Sequence, residues 1–196
     1  MTDALVNGTL AGRGAGMSLS EQGRNDAREL PEMLAGIAIA RIYSSPLERT
    51  RETAKLISDR TNSPVEVHEG LNEFDFGEFT GKSFADLNAI RQWQLFNTFR
   101  SSTRMPGGET ILDVQQRMVS AFEDIRRKHA GHTVAVVSHG DPLRSVIVHY
   151  AGMHLDHLTR LELFPGSVSI LRVGDDQARI VALNCLPSLA RTIEFR

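Results

Sequence analysis

The sequence predicts a layered α/β domain, and three observations carry that prediction. Short β-branched runs alternate with helix-length amphipathic segments along most of the 196 residues. The run Thr133 to Val137 is short, largely apolar and β-branched, as a fully buried parallel strand should be. Two strand-like runs end on turns that enter a helix through a proline, Pro46 and Pro142, whose ring presets φ for a helix start.

Taken in order, Glu21 to Leu34 reads as a helix, Ala38 to Tyr43 as a strand and Pro46 to Thr61 as a helix opening at its proline. Val65 to His68 is a short strand. Phe84 to Phe99 and Ile111 to His129 read as helices on either side of the Ser101 to Gly108 loop, where Pro106-Gly107-Gly108 punctuates the chain. Strand Thr133 to Val137, helix Leu143 to Ala151, strand Ser167 to Val173, a Gly174-Asp175-Asp176 turn and strand Ala178 to Asn184 complete the pattern. There is no internal repeat, low-complexity tract or linker, and residues 1–196 are expected to form one domain. A hydrophobic content of 41% is enough for a substantial core.

Composition narrows the function. A formal net charge of −2 argues against an electrostatic nucleic-acid binder. The single cysteine, Cys185, excludes an internal disulfide and reads as a small packing residue. No apolar run is long enough to span a bilayer and no signal-peptide pattern opens the chain, so no membrane partner is expected and the cytoplasm is the default location.

Three segments present polar residues where ligands bind open α/β sheets. Val136-Val137-Ser138-His139-Gly140-Asp141-Pro142 places His139 at the carboxyl end of a strand and the start of a helix, a position that attracts anions. Ile42-Tyr43-Ser44-Ser45-Pro46-Leu47-Glu48-Arg49 repeats that arrangement and puts Arg49 in a first helical turn, where its planar fork adds to the positive helix end. Leu71-Asn72-Glu73-Phe74-Asp75-Phe76-Gly77-Glu78-Phe79 surrounds Glu73 with aromatics, a setting that raises a carboxyl pKa by desolvation. Each has an ordinary reading alone: a turn-capping histidine, a solvated arginine, a surface glutamate. Gly12 and Gly140 suit positions where backbone N–H groups approach an anion.

Other candidates read as structural. His154-Leu155-Asp156-His157 lacks the spacing of a zinc helix, so no metal site is expected. His68, His129, His132 and His149 are isolated, and Trp93, Phe96 and Phe99 are spaced to face a core or a cleft rim. Ser138 and His139 are strand neighbours that point to opposite faces, which argues against a hydrolase dyad.

Together the segments resemble the histidine phosphatase superfamily, also called phosphoglycerate mutase-like. Ser44-Ser45-Pro46-Leu47-Glu48-Arg49-Thr50-Arg51-Glu52-Thr53-Ala54, Leu71-Asn72-Glu73-Phe74-Asp75-Phe76-Gly77, Pro106-Gly107-Gly108-Glu109-Thr110 and Val137-Ser138-His139-Gly140 match four of its motifs in the right order. The resemblance implies a three-layer α/β/α sandwich around a mostly parallel central sheet. It also implies metal-free, cofactor-free phosphoryl transfer, with Glu73 as proton donor and His139 and Arg49 on the phosphoryl group. The partner it implies is a small phosphorylated metabolite.

The chain also departs from the family. The family opens with a central strand ending in Arg-His-Gly, whose histidine is the nucleophile, and here Met1 falls beside the position of that glycine. Leu5 takes the place of a phosphate-contacting asparagine. The expectation is a phosphomonoesterase working through a phosphohistidine when intact and severely impaired as residues 1–196, with the strand and its nucleophile encoded upstream of Met1. A phosphoglycerate mutase and a non-catalytic phosphate-binding relative are the alternatives. A mutase is disfavoured because Trp93 to Met105 offers only Arg100 and Arg104, spaced apart, where mutases carry adjacent arginines.

Overall fold

Thr2 opens the first element of the structure, a computed structural model that describes residues 1–186, by capping the four-residue helix α1 (Asp3–Val6). The chain then runs back so that Thr2 bridges Leu19. Ser20 caps α2 (Glu21–Met33) by accepting from the Gly23 N–H. Gly23 admits no side chain, because a Cβ would stand 2.1 Å from the Met1 carbonyl oxygen.

Next come β1 (Ile39–Ser44), α3 (Glu48–Thr61) and β2 (Val65–Val67), then α4 (Phe84–Asn88), α5 (Arg91–Thr98) and α6 (Ile111–Lys128). The last elements are β3 (Thr133–Val137), α7 (Gly140–Tyr150), β4 (Val168–Val173) and β5 (Ala178–Cys185). Strands β2, β1 and β3 form a parallel sheet in that order, with Ser44 in register with Val67 and Val137. The layering follows from strand alternation. Tyr43, Val134 and Val136 face the larger core with α6 and α7, whereas Ile42, Ala135 and Val137 face a smaller core with α2 and α3.

Several expectations need correction. The predicted helix Phe84 to Phe99 breaks between Asn88 and Arg91, where the Ile90 N–H donates to the Leu87 carbonyl in a tight turn. The helix after Ser44 begins at Glu48 and leaves Pro46 outside, because Leu47 is extended (φ −73°, ψ 146°) and serves as N-cap. Helix α7 begins earlier than expected, at Gly140, so Pro142 is its third residue. Phe99 is 55% exposed and belongs to neither core.

The sheet also falls into two pieces. Strands β4 and β5 form a separate antiparallel hairpin, and among the described residues β3 pairs only with β1. The apolar run of β3, expected to be fully buried, is only half-buried for this reason, with Thr133 exposed.

The larger core supports the segment that carries Glu73. Phe74 is fully buried, with its ring 4.5 Å from Phe76 and 5.2 Å from Phe96, and Trp93 packs on Phe96 at 5.6 Å. Phe74→Ala should lower the unfolding free energy by about 3–5 kcal/mol in urea denaturation. A loss within the surface-substitution range would show that this cluster does not hold the segment.

Candidate active site

Parallel pairing brings two strand ends together. The Ser45 N–H donates to the Val137 carbonyl at 2.9 Å, extending the β1–β3 ladder one step. Beyond that step His139 becomes the N-cap of α7, and Arg49 lies in the first turn of α3. The two side chains meet: Arg49 Nε donates to His139 Nδ1 at 3.2 Å. Arg49 Nη2 donates to the Gly12 carbonyl at 2.9 Å and lies 3.6 Å from Glu73 Oε2. The same carboxylate oxygen is 3.6 Å from His139 Nδ1. Three residues far apart in sequence therefore share one buried cluster. Arg49 Nη1 is buried too, and it donates to no acceptor among the described residues.

The histidine tautomer follows from its neighbours. Because a guanidinium can only donate, His139 Nδ1 must accept from Arg49, which places the proton of the neutral ring on Nε2. That proton faces Ser45 Oγ at 2.7 Å. Burial, and then the charges of Arg49, Arg117 and Arg13, hold the imidazole well below its ordinary pKa. Ser45, His139 and Glu73 thus have the order of a hydrolase triad but the wrong proton arrangement. Nε2 is not free to take the serine proton, and Ser45 is fully buried. Ser138, as expected from strand alternation, points elsewhere and donates to the Leu71 carbonyl at 2.8 Å.

Glu73 sits on a loop that is clamped from behind. Arg117, on α6, uses all five guanidinium donors: Nε and Nη2 bind Glu109, Nη1 binds the Gly70 and Asn72 carbonyls, and Nη2 also binds the Glu73 carbonyl. Arg13 adds Nε to the Glu73 carbonyl at 2.8 Å and Nη2 to Glu109 at 3.0 Å. Glu109 also accepts the Asp75 N–H. The Pro106-Gly107-Gly108 turn packs directly on this loop. A Cβ on Gly77 would lie 2.0 Å from the Pro106 carbonyl oxygen, and one on Gly108 would lie 2.2 Å from that of Asp75.

Two carboxyl groups in this network are driven apart. Burial pushes Glu109 up, but its bonds to Arg117 and the Asp75 N–H, with the charges of Arg117 and Arg13, outweigh that and keep it below its ordinary pKa. Burial and then the Asp141 charge push Glu73 up to about 7, against the opposing effects of Arg49, the Phe74 N–H and Arg117. A carboxyl half-protonated near neutrality can donate a proton to a departing oxygen.

The other expected residues divide. Gly12 is buried beside Arg49 but presents its carbonyl to the guanidinium. Gly140 is the exposed first residue of α7, where an added Cβ would meet only Arg144 Nη1 at 3.4 Å. His68 binds the Gly70 N–H and His129 binds the Tyr43 hydroxyl, both outside the cluster. Among the described residues no group of three or more His, Cys, Asp or Glu side chains could hold a metal ion, and no helix is long and apolar enough to cross a membrane. Sequence reading missed Ser45, Arg13 and Arg117 as members of the site. Glu109 lay inside a recognised motif, but no spacing in the chain announces that Arg117 would grip it.

The buried titrating groups set opposite pH limits. The unfolded chain protonates His139 below about pH 6.5 and the folded chain does not, so acidification through that range should weaken the fold. Glu73 holds its proton up to about pH 7 when folded, against 4.5 in its ordinary state. Its contribution is therefore complete below about 4.5 and is lost as pH rises through about 7. Glu73→Gln should be more stable than the parent chain at pH 8, by up to about 3 kcal/mol, with the gap closing at acid pH. Equal stabilities at pH 8 would show that Glu73 is not held protonated by its surroundings.

Comparison with known proteins places the chain in a family. Residues 1–186 match the histidine phosphatase superfamily (branch 1). The chain is 29% identical over 171 residues to phosphoserine phosphatase 1 of Hydrogenobacter thermophilus, covering 85% of this chain and 80% of that protein. It is 33% identical over 153 residues to 2,3-bisphosphoglycerate-dependent phosphoglycerate mutase 2 of Gloeobacter violaceus, covering 72% and 65%. Among solved structures, Bacillus stearothermophilus YhfR superposes with a TM-score of 0.88 at 28% identity, covering 93% of this chain and 92% of that one. The α-ribazole phosphatase of Shigella flexneri, at 22% identity and a TM-score of 0.85, shares the fold, covering 94% and 92%. The buried meeting of Arg49, Glu73 and His139 is thus set in a chain that belongs to the histidine phosphatase superfamily, branch 1.

Proposed function

We propose that this domain binds the phosphoryl group of a small phosphomonoester at Arg49 and serves its hydrolysis through a phosphohistidine. The observation that carries this reading is the buried Arg49 Nη1, a charged donor without an acceptor among the described residues, beside a carboxyl raised to about 7. Buried donors of this kind are costly unless something satisfies them, and a phosphoryl oxygen is suited to a guanidinium fork.

In this mechanism a histidine nitrogen attacks phosphorus in line, the P–O bond to the alcohol breaks, and Glu73 gives its proton to the departing oxygen. Water then attacks the phosphohistidine, releasing phosphate and the free imidazole, and loses a proton to Glu73. Arg49 neutralises the equatorial oxygens throughout. His139 now holds Arg49 through Nδ1, so it donates to the anion only once the anion has drawn Arg49 away and Nδ1 carries a proton.

The attacking histidine of this mechanism is not His139. Of the seven histidines in the chain, His139 alone contacts Arg49 and Glu73, and its protonated nitrogen faces Ser45.

Hydrolysis is favoured over mutase chemistry by the fate of two arginines. Arg100 pairs with Asp141 at 2.8 Å, whereas Arg104 is spent on the Gly108 carbonyl and on Asp113. They do not face one ligand as a pair. Named relatives include phosphoserine phosphatases and phosphoglycerate mutases, which is consistent with a small phosphorylated substrate.

A form of the protein that carries the attacking histidine should hydrolyse phosphate esters equally well with and without chelator and form an acid-labile phosphohistidine visible by ³¹P NMR. In it, Glu73→Gln should slow alkyl phosphates at least about tenfold more than aryl phosphates, since an aryl oxide leaves with little proton help. Equal losses on the two ester types, or strict metal dependence, would contradict the mechanism.

A further inference from the structure

Ser45 is the one member of the buried cluster to which the phosphoryl-transfer steps give no part. It lies just beyond β1, fully buried, with Oγ 2.7 Å from His139 Nε2, the ring nitrogen turned away from Arg49 and Glu73. Arg49 fixes the direction of that bond in the unliganded protein. Nδ1 accepts from Arg49 Nε, so Nε2 donates and Oγ accepts. Oγ also accepts the Leu47 N–H at 3.4 Å. The proton of the serine hydroxyl then has no acceptor among the described residues, and an idle buried donor is costly.

Anion binding gives that proton a use. Once a phosphoryl group has drawn Arg49 away, Nδ1 can donate to it in only two ways: the ring gains a second proton, or it exchanges one tautomer for the other. Burial and the charges of Arg49, Arg117 and Arg13 oppose a second proton, and Arg49 already answers the charge of the anion. Exchange needs a partner that accepts from Nε2–H in one state and donates to bare Nε2 in the other. A hydroxyl does both, whereas a carbonyl or carboxylate only accepts and a guanidinium only donates.

We propose that Ser45 is a positioning residue whose hydroxyl reverses its hydrogen bond to His139 when a phosphoryl anion binds, turning the ring from an acceptor for Arg49 into a neutral donor to the anion. This rests on the phosphomonoester reading of the site and adds to it the residue that sets the protonation of His139. The exchange balances: solvent takes the Nε2 proton and returns one to Nδ1, while the serine hydroxyl rotates and keeps its own. Glu73 therefore keeps its proton for the departing alcohol, although its Oε2 lies only 3.6 Å from Nδ1.

The test is ¹⁵N NMR of residues 1–196 carrying ¹⁵N-labelled histidine, near neutral pH, with and without saturating inorganic phosphate. The His139 signals are those lost in His139→Asn, and a protonated ring nitrogen resonates far from a bare one. Without phosphate the proton should be on Nε2; with phosphate Nε2 should be bare and Nδ1 protonated. A serine that merely fills its place would leave Nε2 protonated in both states. Protons on both nitrogens in the phosphate complex, or an unmoved tautomer, would therefore overturn the proposal. Ser45→Thr keeps the hydroxyl and should reproduce the exchange, whereas Ser45→Ala should shift the bare Nε2 of the complex to the position of a nitrogen that accepts no hydrogen bond. An Nε2 resonance identical in the parent and Ser45→Ala complexes would overturn the role of Ser45, and if neither variant folds the parent spectra decide alone. Calorimetry separates the two readings. Phosphate binding weakened about tenfold or more by Arg49→Ala, without tautomer exchange, removes the Ser45 proposal only. Binding that is absent, or indifferent to Arg49→Ala, removes the phosphoryl reading and this proposal with it.

Discussion

A desolvated cation organises this protein. Arg49 is buried beside a neutral histidine, a backbone carbonyl and a carboxyl that sits 3.6 Å away, and one of its terminal nitrogens has no acceptor among the described residues. A charge taken out of water needs fixed partners, and each partner comes from a different part of the chain. The β1–β3 register brings His139 beside Ser45, the Gly12 turn supplies its carbonyl, and the aromatic core delivers Glu73. Loss of any of these contacts would leave a buried charge poorly compensated, so the geometry of the sheet and the chemistry of the site are one constraint.

The electrostatics sort two glutamates into two functions. Glu109 meets Arg13, Arg117 and a backbone N–H and is held ionised as a structural anchor. Glu73 spends its backbone carbonyl on the same two arginines, while its carboxyl projects into a buried space shared with Asp141's field. The arginines therefore grip the backbone of the acid without neutralising its side chain fully, and the carboxyl retains its proton near neutral pH. Tight holding of the main chain and a raised pKa at the side chain are compatible only because the two parts of Glu73 face different surroundings.

Much of this was legible in the chain. Strand and helix positions follow from alternating apolar patterns, and the meeting of Arg49 with His139 follows from two strand-to-helix turns of the same kind. Glu73 was legible because the aromatics Phe74, Phe76 and Phe79 follow it closely. Long-range pairing was not legible. Arg117 and Arg13 reach Glu73 from 44 and 60 residues away, and nothing local distinguishes them from solvated arginines. The Ser45 proton arrangement depends on which ring nitrogen Arg49 occupies, which only geometry decides. The half-exposure of β3 likewise depends on its pairing, and its apolar composition alone predicts full burial.

A crystal structure of residues 1–196 grown with tungstate, a phosphate mimic, tests the account most directly. The account predicts the anion against Arg49, within hydrogen-bond distance of Nη1 and beside the Glu73 carboxyl. An anion bound only elsewhere, or one at this cluster that leaves Arg49 Nη1 without an acceptor, would contradict it.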